Sequence, residues 1–207
     1  MNLPKSAGGD SVLRPRKHVA PFACSVALLG LALASTALAL AAPPSASVQL
    51  SASGIGPLVL GVSLVEASRQ TVPLDPAAAM VGPGCDERDQ ITVVLEVAGQ
   101  PMSVMAMADT QGRIEEILAT PAGNAGVRLA DAEACRAYGA DFAASLAATL
   151  GAMQAWSVQH RPVSTEFTFL PAERSANGGG PRVVSRWFAG GRTCDLLLQF
   201  GGRRAGP

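Results

Sequence analysis

The chain has 207 residues and carries 16 Lys and Arg against 16 Asp and Glu, so its formal net charge is zero. That length is enough for one domain with a complete core. With no basic block and no acidic tail, the chain lacks the electrostatic footprint of a nucleic-acid partner.

Lys5, Arg14, Arg16 and Lys17 make a basic start, followed by an apolar run from Phe22 to Ala41 and then Pro43-Pro44. Ala39-Leu40-Ala41 fits the small-x-small pattern of signal peptidase and predicts a cleaved leader over 1–41. The competing reading is a retained anchor, since about 20 apolar residues can span a bilayer. The many alanines and the position of the cleavage pattern favour the leader. Cys24 precedes most of the apolar run, so it is not a lipoprotein cysteine. The remaining segment, 42–207, has twelve arginines, no lysine and fifteen acids, a net charge of 12 − 15 = −3. The expected location is periplasmic or secreted, with no stable membrane span after cleavage.

A phrase in this segment is written twice. Gly61-Val62-Ser63-Leu64-Val65-Glu66-Ala67 returns as Gly126-Val127-Arg128-Leu129-Ala130-Asp131-Ala132. Such recurrence predicts a domain built by duplication, with unit one at about 55–119 and unit two at about 121–200. In unit one, Ser63 followed by Glu66 reads as a capping box, which starts a helix at Leu64 and carries it to about Gln70. Pro73 and Pro76 stop it, and Pro73 to Gln90 is expected as loop. Thr92 to Val97 alternates, with Val93, Leu95 and Val97 on one face. Met102 to Ala108 and Arg113 to Ala119 follow as strands, separated by Gly-containing turns.

Unit two lacks the capping Ser, because Arg128 stands in its place. Its helix is expected from near Leu129 through Phe142, Leu146, Leu150 and Met153, with Gly139 bending or dividing it. Three strands are expected next: Val163 to Leu170, Arg182 to Phe188 and Thr193 to Phe200. Ser175 to Gly180 is the first hairpin loop. Cys194, Leu196, Leu198 and Phe200 share the inner face of the last strand. Gly191-Arg192 echoes Gly112-Arg113. The order helix–strand–strand–strand, twice, predicts an α+β fold of two tandem diverged α-βββ units, with helices on one face of an antiparallel sheet.

The Gly-Val-Ser-Leu-x-Glu-Ala opening before a three-strand meander resembles the Gly-Met-Thr-x-x-Glu/Gln-Val opening of small bacterial envelope proteins. These are the outer-membrane assembly lipoprotein family and the tandem-repeat β-lactamase inhibitory proteins. Here Val62 replaces the usual Met, and no Gly closes the first helix at the usual place. The cysteine spacing also departs from the two within-repeat bridges of the inhibitors. The resemblance implies a binding module without naming its target.

Cys85, Cys135 and Cys194 remain after export, and an oxidising compartment favours pairing two of them. Three pairings are open. Cys135–Cys194 is preferred because both are expected to face the core, which leaves Cys85 free. His160 is the one histidine of segment 42–207, and any Ser-His-Asp or Cys-His arrangement must use it. Beside Arg161-Pro162 it reads as a solvated loop histidine. One imidazole and unpaired cysteine spacing exclude a common zinc site.

Cys85-Asp86-Glu87-Arg88-Asp89 lacks the ligand order of a calcium loop, and its acids oppose thiol activation. Glu115 and Glu116 are adjacent on a strand and are expected to point to opposite faces. Glu166 and Asp195 both fall on outer strand faces. A rival reading makes them the paired carboxylates of an envelope-polymer hydrolase.

Met102, Met105 and Met107 are first expected as core packing. If the face bearing Met105 and Met107 is open, those two mark a partner surface. Copper is the weakest reading of their thioethers, and a metal-handling protein using Met105, Met107 and Cys85 is the third alternative. Trp187 shares a face with Val183 and Ser185 and fits either core or an interface anchor. The overall expectation is a non-enzymatic binding module without cofactor or metal. A protein partner is expected at Trp187, Glu166, Met105, Met107 and Asp195.

Overall fold

A computed structural model of the chain describes residues 48–75, 80–123, 126–172 and 180–202. All of these belong to the unit Ala42–Pro207. The expected leader, and all but the last residue of the expected Ser175 to Gly180 loop, lie outside the described residues.

The fold is α+β, and most of its strands lie in one antiparallel sheet. A small three-stranded sheet comes first: β1 (Leu50–Ser51), β2 (Gly54–Ile55) and β3 (Leu58–Val59). It was not expected from the sequence, because two-residue strands leave no alternation to read. Helix α1 (Leu64–Thr71) follows, then β4 (Gly82–Pro83), β5 (Asp89–Val97), β6 (Gln100–Ala108) and β7 (Ile114–Pro121). The second half contains β8 (Val127–Arg128), α2 (Ala132–Ser145), α3 (Ala147–Leu150), β9 (Met153–His160), β10 (Thr165–Pro171), β11 (Arg182–Phe188) and β12 (Thr193–Gly201). The main sheet runs in the order β4-β5-β6-β7-β12-β11-β10-β9, with β8 paired to β12 off this path.

Alternation places one apolar face on the core. Ile91, Val93, Leu95 and Val97 of β5 join Met102, Val104 and Ala106 of β6 there, with Cys194, Leu196, Leu198 and Phe200 of β12. Helix α1 adds Leu64 and Ala67; α2 adds Cys135, Phe142 and Ala143. Both helices therefore cover the same side. Among the described residues every member of this core lies between Ile55 and Phe200, within the unit Ala42–Pro207. A disulfide joins Cys135 on α2 to Cys194 on β12 across a Cα separation of 5.5 Å, and Cys85 is free and exposed.

Several local expectations are corrected. α1 starts at Leu64, but Ser63 makes no side-chain cap bond. Ser63 is held instead as a bridge opposite Arg113, and the Leu64 N–H donates to the Gly112 carbonyl at 2.9 Å. Glu66 turns to Arg69 and Gln70, each at 3.3 Å. Within the expected Pro73 to Gln90 loop, Gly82 and Pro83 pair with the start of β5.

In the second half, Val127 and Arg128 are strand, paired with Cys194 and Thr193. The helix therefore begins later than Leu129. Asp131 caps it, accepting from the Ala134 N–H at 2.8 Å, a strong N-cap arrangement.

Gly139 does not divide α2, which runs unbroken through it; it is a close-packing position. A Cβ there would stand 2.5 Å from Ser185 Oγ, 2.7 Å from Ser185 Cβ and 2.9 Å from Phe169 Cε2. Gly151, at φ +77°, ends α3. The stretch from Met153 that had read as the end of a helix is the strand β9. Pairing with β10 overrides a local pattern in which nearly every residue is exposed, as tertiary context commonly does.

Candidate functional site

Because both helices cover one side of the main sheet, the other side carries no described element. Met105 and Met107 of β6 stand on this open face. Met105 is half-buried. Met107 is only 5 % exposed yet lies outside the main core cluster.

Antiparallel register builds the face row by row, since residues directly opposite point the same way. One row is Thr92, Met105, Leu118, Gln199 and Arg182. Leu197 stands opposite Val184, and Val184 opposite Thr168. Met105, Leu118 and Leu197, each half-buried, thus give the middle of the face its apolar surface, with Val184 buried beside them.

Charged groups flank that middle on two sides. On one side, Arg88 donates to Glu115 at 2.9 Å, lies 3.5 Å from Glu116, and pairs with Asp86. Its other Nη donates to the Met107 sulfur at 3.3 Å. Glu116 accepts from Gln199 at 2.6 Å, and Gln199 Oε1 accepts from Arg182 at 2.8 Å. A continuous polar chain therefore crosses from the β4–β5 turn to β11.

Glu115 and Glu116 were expected on opposite faces. A register shift between Met107 and Ala108 instead lets both carboxylates reach the one guanidinium. A bulge changes which way neighbouring side chains point, and nothing in the residue types announces it. Its hydrogen bonds to Asp86 and then to Glu115 push Arg88 above its ordinary pKa, so it stays cationic. The same Arg88 bond holds Asp86 below the usual carboxylate range.

On the other side stand Asp195, Arg186 and Glu166, in that cross-strand order. Arg186 donates to one Glu166 oxygen through Nε at 3.1 Å and Nη2 at 2.6 Å. Glu166 and Asp195 are therefore on the same face, as expected, with a guanidinium between their positions. A cavity of about 190 Å³ between the ends of β7 and β8 is lined by Asp195 and Tyr138 but not by Glu166. This cavity therefore does not bring the two carboxylates together across one cleft, as the hydrolase reading requires.

Trp187 is corrected as a surface anchor. It is 7 % exposed and packs in the core with Val183 and Phe167. His160 lies at the end of β9, exposed, with Nδ1 3.2 Å from the Thr165 hydroxyl. Among the described residues no group of three or more His, Cys, Asp or Glu is placed to hold a metal. At Met107 the guanidinium of Arg88 already occupies the thioether, where a copper ion would meet a like charge.

Sequence reasoning missed Arg88, Arg186 and Gln199. Their side chains carry the polar bonds of the face, and only cross-strand register places them beside Glu116 and Glu166. Among the described residues no helix is long and apolar enough to cross a membrane. No protein-family model matches this chain, and neither does any curated protein or solved structure.

Proposed function

We propose that this protein is an exported, non-enzymatic binding module that holds a protein partner on the open face of its sheet, in the cell envelope or outside the cell. One observation carries the reading. The face bears a half-buried apolar middle (Met105, Leu118, Leu197) between two groups of paired charges, and no described element covers it. An apolar centre with a polar rim is the usual anatomy of a protein interface. The disulfide supports an oxidising compartment, in line with the leader read over 1–41.

The proposal includes descent from two diverged α-βββ units. Gly61 and Gly126, which open the two phrases, both hold left-handed φ values of 82° and 86°. Each phrase leans on the strand that ends its own half: Ser63 opposite Arg113, and Arg128 opposite Thr193. Arg113 donates to the Gly61 carbonyl at 2.9 Å, and Arg192 donates to the Ala130 carbonyl at 3.2 Å. These parallels support duplication; the inhibitor, immunity-type or assembly role rests on the resemblance of the Gly61 phrase alone.

The test is affinity capture on immobilised Ala42–Pro207, with envelope extract and a salt wash. The expected result is one protein retained in stoichiometric amount, and its loss on Met105→Glu or on Arg186→Glu in variants with unchanged circular dichroism. Retention of nothing from several extracts would count against the proposal. Equal retention by the variants would move the site elsewhere.

A further inference from the structure

We infer that β9 is a self-pairing edge, at which two copies of this chain join their main sheets about a twofold axis. β9 closes the strand order of the main sheet, and among the described strands only β10 pairs with it. Its eight residues, Met-Gln-Ala-Trp-Ser-Val-Gln-His, include no formally charged side chain and no proline. Charge and proline are two of the usual protections of an exposed edge. Eight residues offer about 27 Å of backbone for pairing.

The strand is complementary to itself, and its bulge makes it so. Val158 stands opposite Phe167 and Ala155 opposite Phe169, so both lie on the helix-covered side. Gln159 stands opposite Glu166 and Gln154 opposite Leu170, on the open side. Residues 155 and 158 differ by an odd number, so a regular strand would send them to opposite faces. The register shift between Thr168 and Phe169 leaves Trp156 as the extra residue and restores agreement.

An antiparallel copy turned about an axis between Trp156 and Ser157 then sets Gln154 against Gln159, Ala155 against Val158, and Met153 against His160. Every one of these pairs matches in face. Amide meets amide at 154 and 159, apolar meets apolar at 155 and 158, and a thioether meets an imidazole at 153 and 160, each pair occurring twice as in an isologous interface.

A second observation points to the same place. Beside the edge, a groove is lined by the apolar Ala155, Trp156, Val158, Phe167 and Phe169 together with the polar Ser157, Thr168 and Arg136. Trp156 is 53 % exposed and Val158 52 %. The core side of the sheet thus extends past the cover of α2, and a second β9 would lay its own Ala155 and Val158 beside this apolar strip. Strand addition draws affinity from main-chain hydrogen bonds and selectivity from alternate side chains. This inference stands independently of the partner proposed for the open face.

The test is sedimentation velocity on Ala42–Pro207 in a Cys85→Ser background, which removes the exposed thiol as a source of cross-links. The concentration runs from about 1 to 200 µM, the range in which a weak dimer dissociates. The expected result is a reversible rise from one-chain to two-chain mass.

Two charge variants read the register. Gln154→Lys with Gln159→Lys, and Gln154→Glu with Gln159→Glu, each create two like-charge pairs across the axis. Each alone is expected to weaken association about tenfold. An equimolar mixture of the two variants should recover it. A wild-type chain that stays single throughout overturns the inference, as does a mixture no tighter than its separate variants.

Discussion

Gly139→Ala tests how closely α2 approaches the sheet. In an exposed helix this substitution stabilises by about 1 kcal/mol through propensity alone. Here the new methyl would meet Ser185 Oγ at 2.5 Å, Ser185 Cβ at 2.7 Å and the Phe169 ring at 2.9 Å. Ser185 sits on a central strand and Phe169 in the core, so neither can yield as the end of a flexible side chain would. Overpacking of this kind costs about 1–3 kcal/mol, and three short contacts at once place Gly139→Ala at the upper end. The net expectation is a loss of about 1–2 kcal/mol after the propensity gain.

Ser185→Gly removes the two closest atoms, so the pair Gly139→Ala/Ser185→Gly should be more stable than the sum of its single variants. That coupling is the diagnostic quantity. The assay is urea unfolding followed by circular dichroism, with the Cys135–Cys194 bond intact. A Gly139→Ala protein more stable than the wild type would refute the reasoning, because propensity would then have prevailed and the close approach would not exist.

Further outcomes follow from other contacts. Among the described residues Ser185 Oγ is buried without a hydrogen-bond partner, so Ser185→Ala should leave stability unchanged or raise it, since an unsatisfied buried hydroxyl carries a desolvation cost; a clear loss in thermal melting would contradict this. Replacing both Cys135 and Cys194 by Ala frees a loop with a sequence separation of 59, and loop-closure entropy predicts a loss of about 4 kcal/mol by denaturant titration. Gln199→Ala leaves Glu116 and Arg182 without their shared partner and should cost about 1–3 kcal/mol in the same assay, whereas a neutral result would show that solvent replaces the amide.

The Arg136 hydrogen bond lowers the pKa of Glu133, with Nε 2.9 Å from each carboxylate oxygen. A carboxyl depressed in the folded state contributes stability above its unfolded pKa, and that contribution is lost as pH falls through the folded one. Carboxyl NMR titration should therefore find Glu133 ionised below the ordinary glutamate range, and Arg136→Gln should move it upward.

Much of the fold was legible in the residues. Alternation in Val93-Val94-Leu95-Glu96-Val97 and in Cys194 to Phe200 announced strands and their inner faces, because burial on one side imposes a period of two. Glycine turns and prolines marked the ends of α1 and of the first meander. The preference for Cys135–Cys194 over the other pairings came from the same facing argument, and the bridge is present.

Only the tertiary structure decided the rest. β9 reads as helix locally and becomes a strand because β10 offers it an edge. Asp131, not the position matching Ser63, caps α2, because Val127 and Arg128 are drawn into pairing with β12. Trp187 goes to the core while Met105 and Met107 go to the open face, since the choice of covered side belongs to the whole sheet. Arg88 meets both Glu115 and Glu116 through a bulge, and Arg186 comes between Asp195 and Glu166 through strand order. The sequence by itself determined the periodicities, the turn points and the residues able to pair across a core. Three-dimensional register determined which of them are neighbours, because hydrogen bonds between strands join residues whose positions in the chain carry no mark of one another.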